Sequence, residues 1–298
     1  MKRFALIGVA GYIAPKHLEA IKATGNDLVA AMDLHDSVGV LDRYFPEADF
    51  FTTEERLQQH LLGLREQGNP VDYLVVCSPN HLHEAHIQLG FACGCDVICE
   101  KPVALNTAAV ERLKAAEQKS GKKVYTIMQL RLHPAIAALK QQIDNDPADK
   151  KYNVQLQYIT PRGKWYHHSW KGDVQKSGGI LINIGIHLFD LLHWLFGPVM
   201  KSDLLKDTAT EASGELQLAR AEVQWLLSID KTLLPIASVQ KGDHAYRQLL
   251  VDGIPVDFSA LGNELHVASY QEIIAGRGFG LAEAGEGLRV VEGLGLRG

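Results

Sequence analysis

The residues best suited to chemistry begin with a glycine-rich turn near the N-terminus. Gly8 and Gly11 follow the apolar run 4–7 in the pattern Gly8-Val9-Ala10-Gly11-Tyr12-Ile13-Ala14. Gly8 permits a tight turn after a strand, and Gly11 lets the backbone approach a pyrophosphate at the start of the next helix. The spacing predicts a dinucleotide-binding turn, whose contact residues are Gly8, Ala10, Gly11, Tyr12 and Ile13.

A carboxylate at the end of the second predicted strand selects the cofactor. The apolar run 28–32 ends on Asp33, which can accept hydrogen bonds from both ribose hydroxyls and would repel a 2′-phosphate. The pattern therefore predicts NAD rather than NADP. The alternative is an ordinary tight turn between a strand and a helix, because the glycine spacing departs from G-x-G-x-x-G.

Two later loops carry polar residues directly after predicted strands, the runs 72–77 and 96–99. Because the carboxyl ends of parallel strands meet at one edge of a sheet, both loops should open onto the cofactor crevice. We expect the Lys101 ammonium beside the nicotinamide and His83 near its ribose. A solvent-exposed lysine is the alternative on composition alone. The cofactor contacts predicted in these loops are Ser78, Pro79, Asn80, His83, Glu100 and Lys101.

A strongly apolar helix is predicted over residues 180–196 and brings two polar residues together. Asn183 and His187 are four residues apart and would share one face of it. An isolated histidine in such a helix is more often a core residue, but the Gly178-Gly179 entry and the pairing with Asn183 favour a functional role. An amide cannot take a proton, so proton transfer must fall to His187 or Lys101.

Cysteine and histidine clusters could indicate a metal site, but their spacing argues against one. Four cysteines lie within residues 77–99, two of them in predicted buried strands, where thiols behave as small hydrophobic groups. The histidines at 81, 83 and 86, and the pair His167-His168, have no carboxylate or cysteine at a ligand spacing. We therefore predict neither a metal nor a disulfide.

Composition and pattern describe a two-domain α/β enzyme. The formal charge of −5 and the pI near 6.2 give no electrostatic footprint for nucleic acid or an anionic membrane. No apolar run approaches the roughly 20 residues of a membrane span, and the N-terminus does not resemble a signal peptide, so a cytoplasmic location is expected. Strands and helices alternate to residue 125, which predicts a doubly wound parallel sheet over 1–125. Alternating runs after that predict an α+β domain with a mainly antiparallel sheet over 126–298.

The chain resembles the glucose–fructose oxidoreductase and inositol dehydrogenase family of NAD(P)-dependent sugar and polyol oxidoreductases. The matching residues are Gly8-x-x-Gly11, Asp33, Ser78-Pro79-Asn80-x-x-His83, Glu100-Lys101-Pro102 and the segment 178–187. The resemblance implies that Lys101 and His187 are the catalytic residues and flank the hydroxyl that is oxidised. Asn183 departs from the family pattern, in which an aspartate is common there.

A narrower resemblance, carried by segments 4–15, 129–131, 158–173 and 269–278, is to the UDP-N-acetylglucosaminuronic acid 3-dehydrogenases of lipopolysaccharide O-antigen biosynthesis. It implies oxidation of the sugar C3 hydroxyl to a ketone, with NADH recycled in place by 2-oxoglutarate. Gln129 then joins the cofactor contacts. Cationic side chains could hold the pyrophosphate and carboxylate of a UDP-uronic acid, although a solvated loop face is the alternative. The implied substrate contacts are Lys101, Arg131, Arg162, Tyr166, Ser169, Lys171, Asn183, His187 and Arg277.

Two other functions remain open at this stage. A dehydrogenase of the same family could act on another nucleotide sugar, a free sugar or an inositol. A non-catalytic NAD-binding redox sensor would need the cofactor site but neither Lys101 nor His187. An open antiparallel sheet face in the second domain favours a homo-oligomer, a dimer or a tetramer.

Overall fold

The computed structural model describes residues 1–258 and 264–295, and all structural statements refer to those residues. Within them the chain forms twelve strands, β1–β12, in chain order at Arg3–Ile7, Asp27–Met32, Asp49–Phe51, Tyr73–Val76, Asp96–Cys99, Val124–Thr126, Tyr152–Ile159, Val199–Asp207, Glu211–Leu218, Ala221–Ser228, Tyr246–Val251 and Ile254–Pro255. It also forms thirteen α-helices, α1–α13, at Ala14–Ala23, Val40–Tyr44, Glu54–Glu66, His83–Cys93, Thr107–Ser120, Pro134–Asn145, Trp165–His168, Val174–Ser177, Gly179–Asn183, Ile186–Phe196, Ile236–Lys241, Glu264–Ile274 and Leu281–Gly293.

These elements form two compact units. The first contains Met1–Gln129 and Gly262–Gly285, and the second contains Leu130–Leu261 and Glu286–Gly298. The first unit therefore includes a late segment of the chain, with α12 packed beside α1. The predicted division into 1–125 and 126–298 misses this return, because a contact between distant segments leaves no local pattern.

The sheet of the first unit has the order β3-β2-β1-β4-β5-β6, and all its pairs are parallel. This is the strand order of a dinucleotide-binding doubly wound sheet. Apart from a charged first residue in some of them, the strands are mainly apolar, as expected where helices cover both faces of a parallel sheet. In the ladder, Ile7 lies opposite Met32 and Val76, and Val76 lies opposite Cys99. The residues that follow these four strands therefore lie along one edge, which places the candidate site.

The sheet of the second unit has the order β12-β11-β7-β10-β9-β8. Only the β7–β10 pair is parallel, and the other pairs are antiparallel. Burial alternates along β7 and β10, so one face of the sheet packs against the core. Phe189 of α10 contacts Trp225 of β10 edge to face, with ring centroids 5.2 Å apart. The two sheets confirm the α/β class with a mainly antiparallel second domain.

The helix predicted over 180–196 is broken. α9 ends at Asn183 and α10 begins at Ile186. A Cβ on Gly185 would lie 2.6 Å from both the carbonyl oxygen of Leu181 and a methyl carbon of Leu227. Glycine is thus required for the close approach of this break to β10. The prediction that Asn183 and His187 share one continuous helix is wrong, because tertiary packing interrupts the helix between them.

No single helix in the described part of the chain is long and apolar enough to cross a membrane. The segments Val174–Asn183 and Ile186–Phe196, bent by 41° at their junction, pass a length and composition test only when taken together.

Candidate active site

The glycine turn after β1 has no room for a side chain. Gly8 has a φ of 89°, and a Cβ on it would lie 2.7 Å from the carbonyl carbon and oxygen of Cys77. The Gly11 amide donates a hydrogen bond to the Gly8 carbonyl at 3.0 Å, and α1 begins three residues later with no side-chain cap. No side-chain cap occupies the N-terminus of α1, where the pyrophosphate is predicted to bind.

Asp33 ties the end of β2 to this turn. Its Oδ2 accepts a hydrogen bond from the Ala10 amide at 3.0 Å, and its Oδ1 accepts one from the His35 amide at 3.0 Å. Each carboxylate oxygen has a second acceptor position for a ribose hydroxyl. Tyr12, predicted with Ile13 to contact the cofactor, is 91% exposed beside this turn. The observed arrangement fits the predicted dinucleotide site.

Hydrogen bonds between side chains fix the loop after β4. The Ser78 hydroxyl lies 2.7 Å from His86 Nδ1, and His86 Nε2 lies 3.0 Å from the carboxylate of Glu54 at the start of α3. Ser78 and the neighbouring Asn80 are both buried. The loop therefore has a defined conformation before any ligand binds.

His83 joins the two loops that follow β4 and β5. Its Nδ1 lies 2.6 Å from the Pro102 carbonyl oxygen and its Nε2 lies 2.8 Å from the Ser78 carbonyl oxygen. Burial lowers the pKa of His83, while both carbonyl contacts favour the imidazolium, the only form with two N–H donors. Both ring nitrogens are thus engaged by the backbone, so we assign His83 to holding these loops together rather than to a direct ribose contact.

Glu100 has its carboxylate turned into the protein rather than toward a ligand. Oε1 accepts hydrogen bonds from His17 Nε2 at 2.9 Å and from His266 Nε2 at 3.2 Å, and Oε2 accepts one from the Lys101 amide at 3.2 Å. Although burial opposes the charge, these hydrogen bonds hold the pKa of Glu100 well below its usual range. The Lys101 side chain is only partly buried, and the Lys101–Pro102 peptide bond is cis.

The sequence did not single out His17 and His266. The only local signal was a histidine among apolar residues on the buried side of each helix, which also describes an ordinary core histidine. Their ligand atoms and that of Glu100 lie within 4.8 Å of one another, close enough to surround a metal ion. The hydrogen bonds already satisfy the carboxylate, so an ion is not needed to explain the cluster.

We expect acid to destabilise the first unit through His17. Complete burial lowers the pKa of His17, whereas the pKa of a histidine in an unfolded chain is about 6.5. Below that pH the unfolded chain binds a proton that the folded chain does not. The free energy of unfolding therefore falls as the pH drops, by at most about 1.4 kcal/mol per pH unit for this group. Thermal denaturation from about pH 8 to pH 5 should show a shallower pH dependence for H17Q than for the wild type, and equal slopes would contradict the assignment.

The side-chain amide oxygen of Gln129, at the end of the first unit, is a candidate ligand contact. Its Oε1 is buried and has no hydrogen-bond partner among the described residues. A buried amide oxygen of this kind is unfavourable unless a ligand donor reaches it. The atom fits a contact to an amide or hydroxyl group of a bound dinucleotide.

In the second unit, Asn183 and Tyr166 form one polar pair. The Asn183 amide donates to the Tyr166 hydroxyl at 2.9 Å, and Tyr166 is 2% exposed. Burial raises the pKa of Tyr166, so it remains a neutral phenol. His187, in the first turn of α10, packs its ring edge to face on Tyr158 at 5.5 Å. The helix break thus leaves Asn183 bound to a phenol and His187 against an aromatic ring.

The predicted cationic contacts occupy different environments. Arg162 is exposed, and the Lys171 ammonium lies 4.1 Å from the centre of the Trp170 ring. Arg277 belongs to the first unit and makes two hydrogen bonds, at 2.7 and 2.8 Å, to the Glu272 carboxylate. Arg131 is buried against Asp190, with contacts at 3.0 and 2.5 Å. Ser169 donates to the Tyr166 carbonyl oxygen and shapes the loop that carries Lys171.

The cysteines lie in the interior. All four are buried free thiols. Burial, together with the nearby Glu100 charge, raises the pKa of Cys77 and Cys99 well above the usual range, and burial raises that of Cys95 to about 12. Such thiols stay protonated, and they pack as small apolar groups.

Family models match both parts of the chain. Residues 2–128 match the NAD-binding Rossmann fold of the Gfo/Idh/MocA oxidoreductase family, and residues 140–228 match the C-terminal α/β domain of the same family. A relative from Escherichia coli K12, D-glucoside 3-dehydrogenase, is 28% identical over 205 residues, which are 67% of this chain and 56% of the relative. The chain spans about half the length of the curated relatives that it matches first.

A solved structure is similar over the full chain. The WlbA (WbpB) dehydrogenase from Thermus thermophilus, in complex with NAD and α-ketoglutarate, is 46% identical with a TM-score of 0.96, over 100% of this chain and 96% of that one. The same dehydrogenase in complex with NAD and UDP-GlcNAcA has a TM-score of 0.95 at 46% identity, over 100% and 95% of the two chains.

Proposed function

This chain belongs to the Gfo/Idh/MocA oxidoreductase family, the glucose–fructose oxidoreductase and inositol dehydrogenase family, and we propose that it is an NAD-dependent UDP-N-acetylglucosaminuronic acid 3-dehydrogenase. It would oxidise the C3 hydroxyl of the sugar to a ketone. The observation that carries the proposal is the full-length likeness, at 46% identity, to a dehydrogenase seen with NAD and UDP-GlcNAcA. 2-Oxoglutarate, the α-ketoglutarate found in the companion complex, is proposed as the second substrate that restores the oxidised cofactor.

Lys101 and His187 divide the chemistry in this proposal. NAD⁺, when bound, takes the hydride from C3. His187 accepts the hydroxyl proton, and the Lys101 ammonium donates a hydrogen bond to the same oxygen as negative charge develops on it. We prefer histidine as the base because an unperturbed lysine has a pKa of about 10.4 and is protonated at neutral pH. Asn183 cannot take the proton, and its hydrogen bond to Tyr166 supports a role in substrate positioning.

The cations are proposed to bind the anionic parts of the substrate. Arg162, Lys171 and Arg277 have guanidinium or ammonium groups suited to a pyrophosphate and a carboxylate. Arg277 would exchange its exposed Glu272 partner for the ligand, since exposed ion pairs of this kind are weak. Arg131, which is already paired inside the unit, is instead proposed to support the fold.

The first experiment incubates the purified protein with UDP-N-acetylglucosaminuronic acid and NAD⁺, with and without 2-oxoglutarate. Mass spectrometry should show that the sugar nucleotide loses the mass of one hydrogen molecule, with multiple turnovers only when the oxo acid is present. No mass change, with oxidation of UDP-glucuronic acid or a free polyol instead, would keep the family and discard the substrate. Tight NAD binding without turnover of any UDP-sugar would favour the redox sensor.

Cofactor choice should depend on the Asp33 carboxylate. Replacing Asp33 with serine removes the charged carboxylate that would accept from both ribose hydroxyls and repel a 2′-phosphate, so we expect KM for NAD to rise about 10- to 100-fold while NADP becomes a usable cofactor. D33N is the matched control, because it keeps one acceptor oxygen without the charge. Steady-state kinetics with both cofactors measures this, and an unchanged preference for NAD in D33S would contradict the role of Asp33.

The cellular setting is also a proposal. The sugar nucleotide would place the enzyme in lipopolysaccharide O-antigen biosynthesis in the cytoplasm, where UDP-sugars are made. A homo-oligomer, a dimer or tetramer, is supported by the wide sheet of the second unit, whose edge strand β8 and its neighbour β9 carry the exposed side chains Lys201 and Glu215. Light scattering coupled to size exclusion should therefore give a multiple of the 32.8 kDa chain mass.

A further inference from the structure

Four buried side chains in the first unit form a connected cluster, which we call the Glu100 cluster: His17, Glu100, His266 and Tyr270. They are 0, 7, 2 and 0% exposed. Three separate segments supply them, namely α1, the loop after β5, and α12. His17 bonds Glu100 through Nε2, and its Nδ1 lies 2.9 Å from the Tyr270 hydroxyl. A continuous path therefore runs from α12 through α1 to the residue before Lys101.

The proton positions along this path are determined by its ends. Glu100 is ionised, so each nitrogen facing it must carry a hydrogen. Burial lowers the pKa of His17 and so favours the neutral ring, whose one hydrogen then lies on the Nε2 that faces Glu100. Its Nδ1 must then accept from the Tyr270 hydroxyl, and burial keeps that phenol protonated by raising its pKa. Every donor from Tyr270 to Glu100 thus points in one direction.

Joining three segments through a buried carboxylate carries a large desolvation free energy. Apolar residues of similar volume often pack there with equal or greater stability. What the carboxylate adds is a second oxygen of fixed orientation, and here Oε2 accepts from the Lys101 backbone amide at 3.2 Å. His83 fixes the other side of the same loop through the Pro102 carbonyl. The cluster thus holds the backbone from which the Lys101 side chain extends.

We propose that His17, His266 and Tyr270 are positioning residues for Lys101, and that they act by holding the Glu100 carboxylate in one orientation. This proposal rests on the proposed function, which gives Lys101 its contact with the reacting oxygen. Because α1 directly follows the predicted dinucleotide-binding turn, the cluster links the helix at the predicted pyrophosphate site to the loop of the reacting lysine. The effect on the reaction should appear in kcat rather than in KM for NAD.

The test compares two substitutions of His17 in the full chain. H17L removes both hydrogen bonds and should lower kcat about 100-fold, the loss that a small misplacement of a reacting group produces. H17Q offers an amide donor to Glu100 and a carbonyl acceptor to Tyr270, so it should recover kcat to within about tenfold of the wild type. KM for NAD should change little in either variant. Equal activity in H17L and the wild type, or a change confined to KM, would overturn the proposal.

Two tyrosines give a matched pair that avoids the risk of misfolding. Tyr270 and Tyr73 both stack on Phe4, at 5.8 and 5.1 Å between ring centroids. Y270F deletes the hydroxyl that bonds His17 and should lower kcat by up to about tenfold, the value of one hydrogen bond. Y73F deletes a hydroxyl outside the cluster and should leave kcat unchanged. Equal kcat in the two variants would count against the proposal even if H17L fails to fold.

Failure of this proposal can be told apart from failure of the proposed function. If K101A turns over as fast as the wild type, the role of Lys101 itself is wrong. If K101A is inactive while H17L and Y270F behave as the wild type, only the positioning role is wrong. Metal analysis of the purified protein completes the test, because stoichiometric zinc that EDTA removes together with activity would make the cluster a metal site instead.

Discussion

Replacing Lys101 or His187 with alanine is expected to abolish most turnover and leave NAD binding intact. A positioned proton acceptor contributes about 10²- to 10⁴-fold to rate, and a cation at the developing oxyanion contributes a comparable factor. Neither side chain belongs to the turn at Gly8 or to Asp33, where the dinucleotide is expected to bind. Fluorescence titration with NADH should therefore give similar dissociation constants for both variants, while single-turnover reduction of NAD⁺ by the UDP-sugar becomes slow.

Exposed residues of the same type provide the controls for this experiment. Lys119 lies at the end of α5 in the first unit, and His244 lies in the second unit, both exposed to solvent. K119A and H244A should keep wild-type turnover. The pH dependence of kcat should lose its acidic limb in the His187 variant, since that limb reports the base. A K101A/H187A double variant that still oxidises the UDP-sugar would contradict the mechanism.

The cofactor half of the site could be predicted because its signals are local. A dinucleotide-binding turn needs a glycine with a positive φ after β1 and an acidic residue after β2. Gly8 and Asp33 meet both requirements within about thirty residues of sequence. Apolar strands buried on both faces also predict a parallel sheet without any knowledge of its partners. These features depend on near neighbours in the chain, so pattern and spacing are enough.

The features that could not be predicted depend on distant contacts. Glu100 bonds His17 across 83 residues and His266 across 166 residues, and no periodicity relates these positions. The break between α9 and α10 likewise follows from the approach of Gly185 to Leu227, since the helix pattern itself continues through the break. For His17 and His266, the only clue in the sequence was a polar residue on an apolar helix face, and such a residue does not identify its partner.

Arg131 shows how a distant partner can change the role assigned to a residue. As a sequence feature it was one of several cations suited to a nucleotide sugar. In the structure its guanidinium forms two hydrogen bonds with Asp190, both residues are at most 6% exposed, and the guanidinium carbon lies 5.6 Å from the centre of the Trp194 ring. The pair links the turn just before α6 to α10 within the second unit, which supports a structural role for Arg131.

Breaking this pair from one side should therefore destabilise the protein strongly. R131M or D190L alone leaves a buried charge without its partner, and we expect each to lower the free energy of unfolding by about 3–5 kcal/mol. The R131M/D190L double variant replaces both charges with apolar side chains and should recover most of that loss, so the double-mutant cycle should show a large coupling. Thermal denaturation measures all three, and strictly additive losses would contradict the ion pair.

An exposed ion pair with the same two-nitrogen geometry is the control that separates the effect of burial on stability from the effect of the hydrogen bonds. Arg112 bonds Glu84 through two nitrogens at 2.7 and 2.8 Å on the surface of the first unit, and R112M should change the melting temperature little. The stable R131M/D190L variant also tests the alternative role of Arg131. If Arg131 only supports the fold, the variant keeps the wild-type KM for the UDP-sugar. A large rise in that KM, without loss of stability, would return Arg131 to the substrate site.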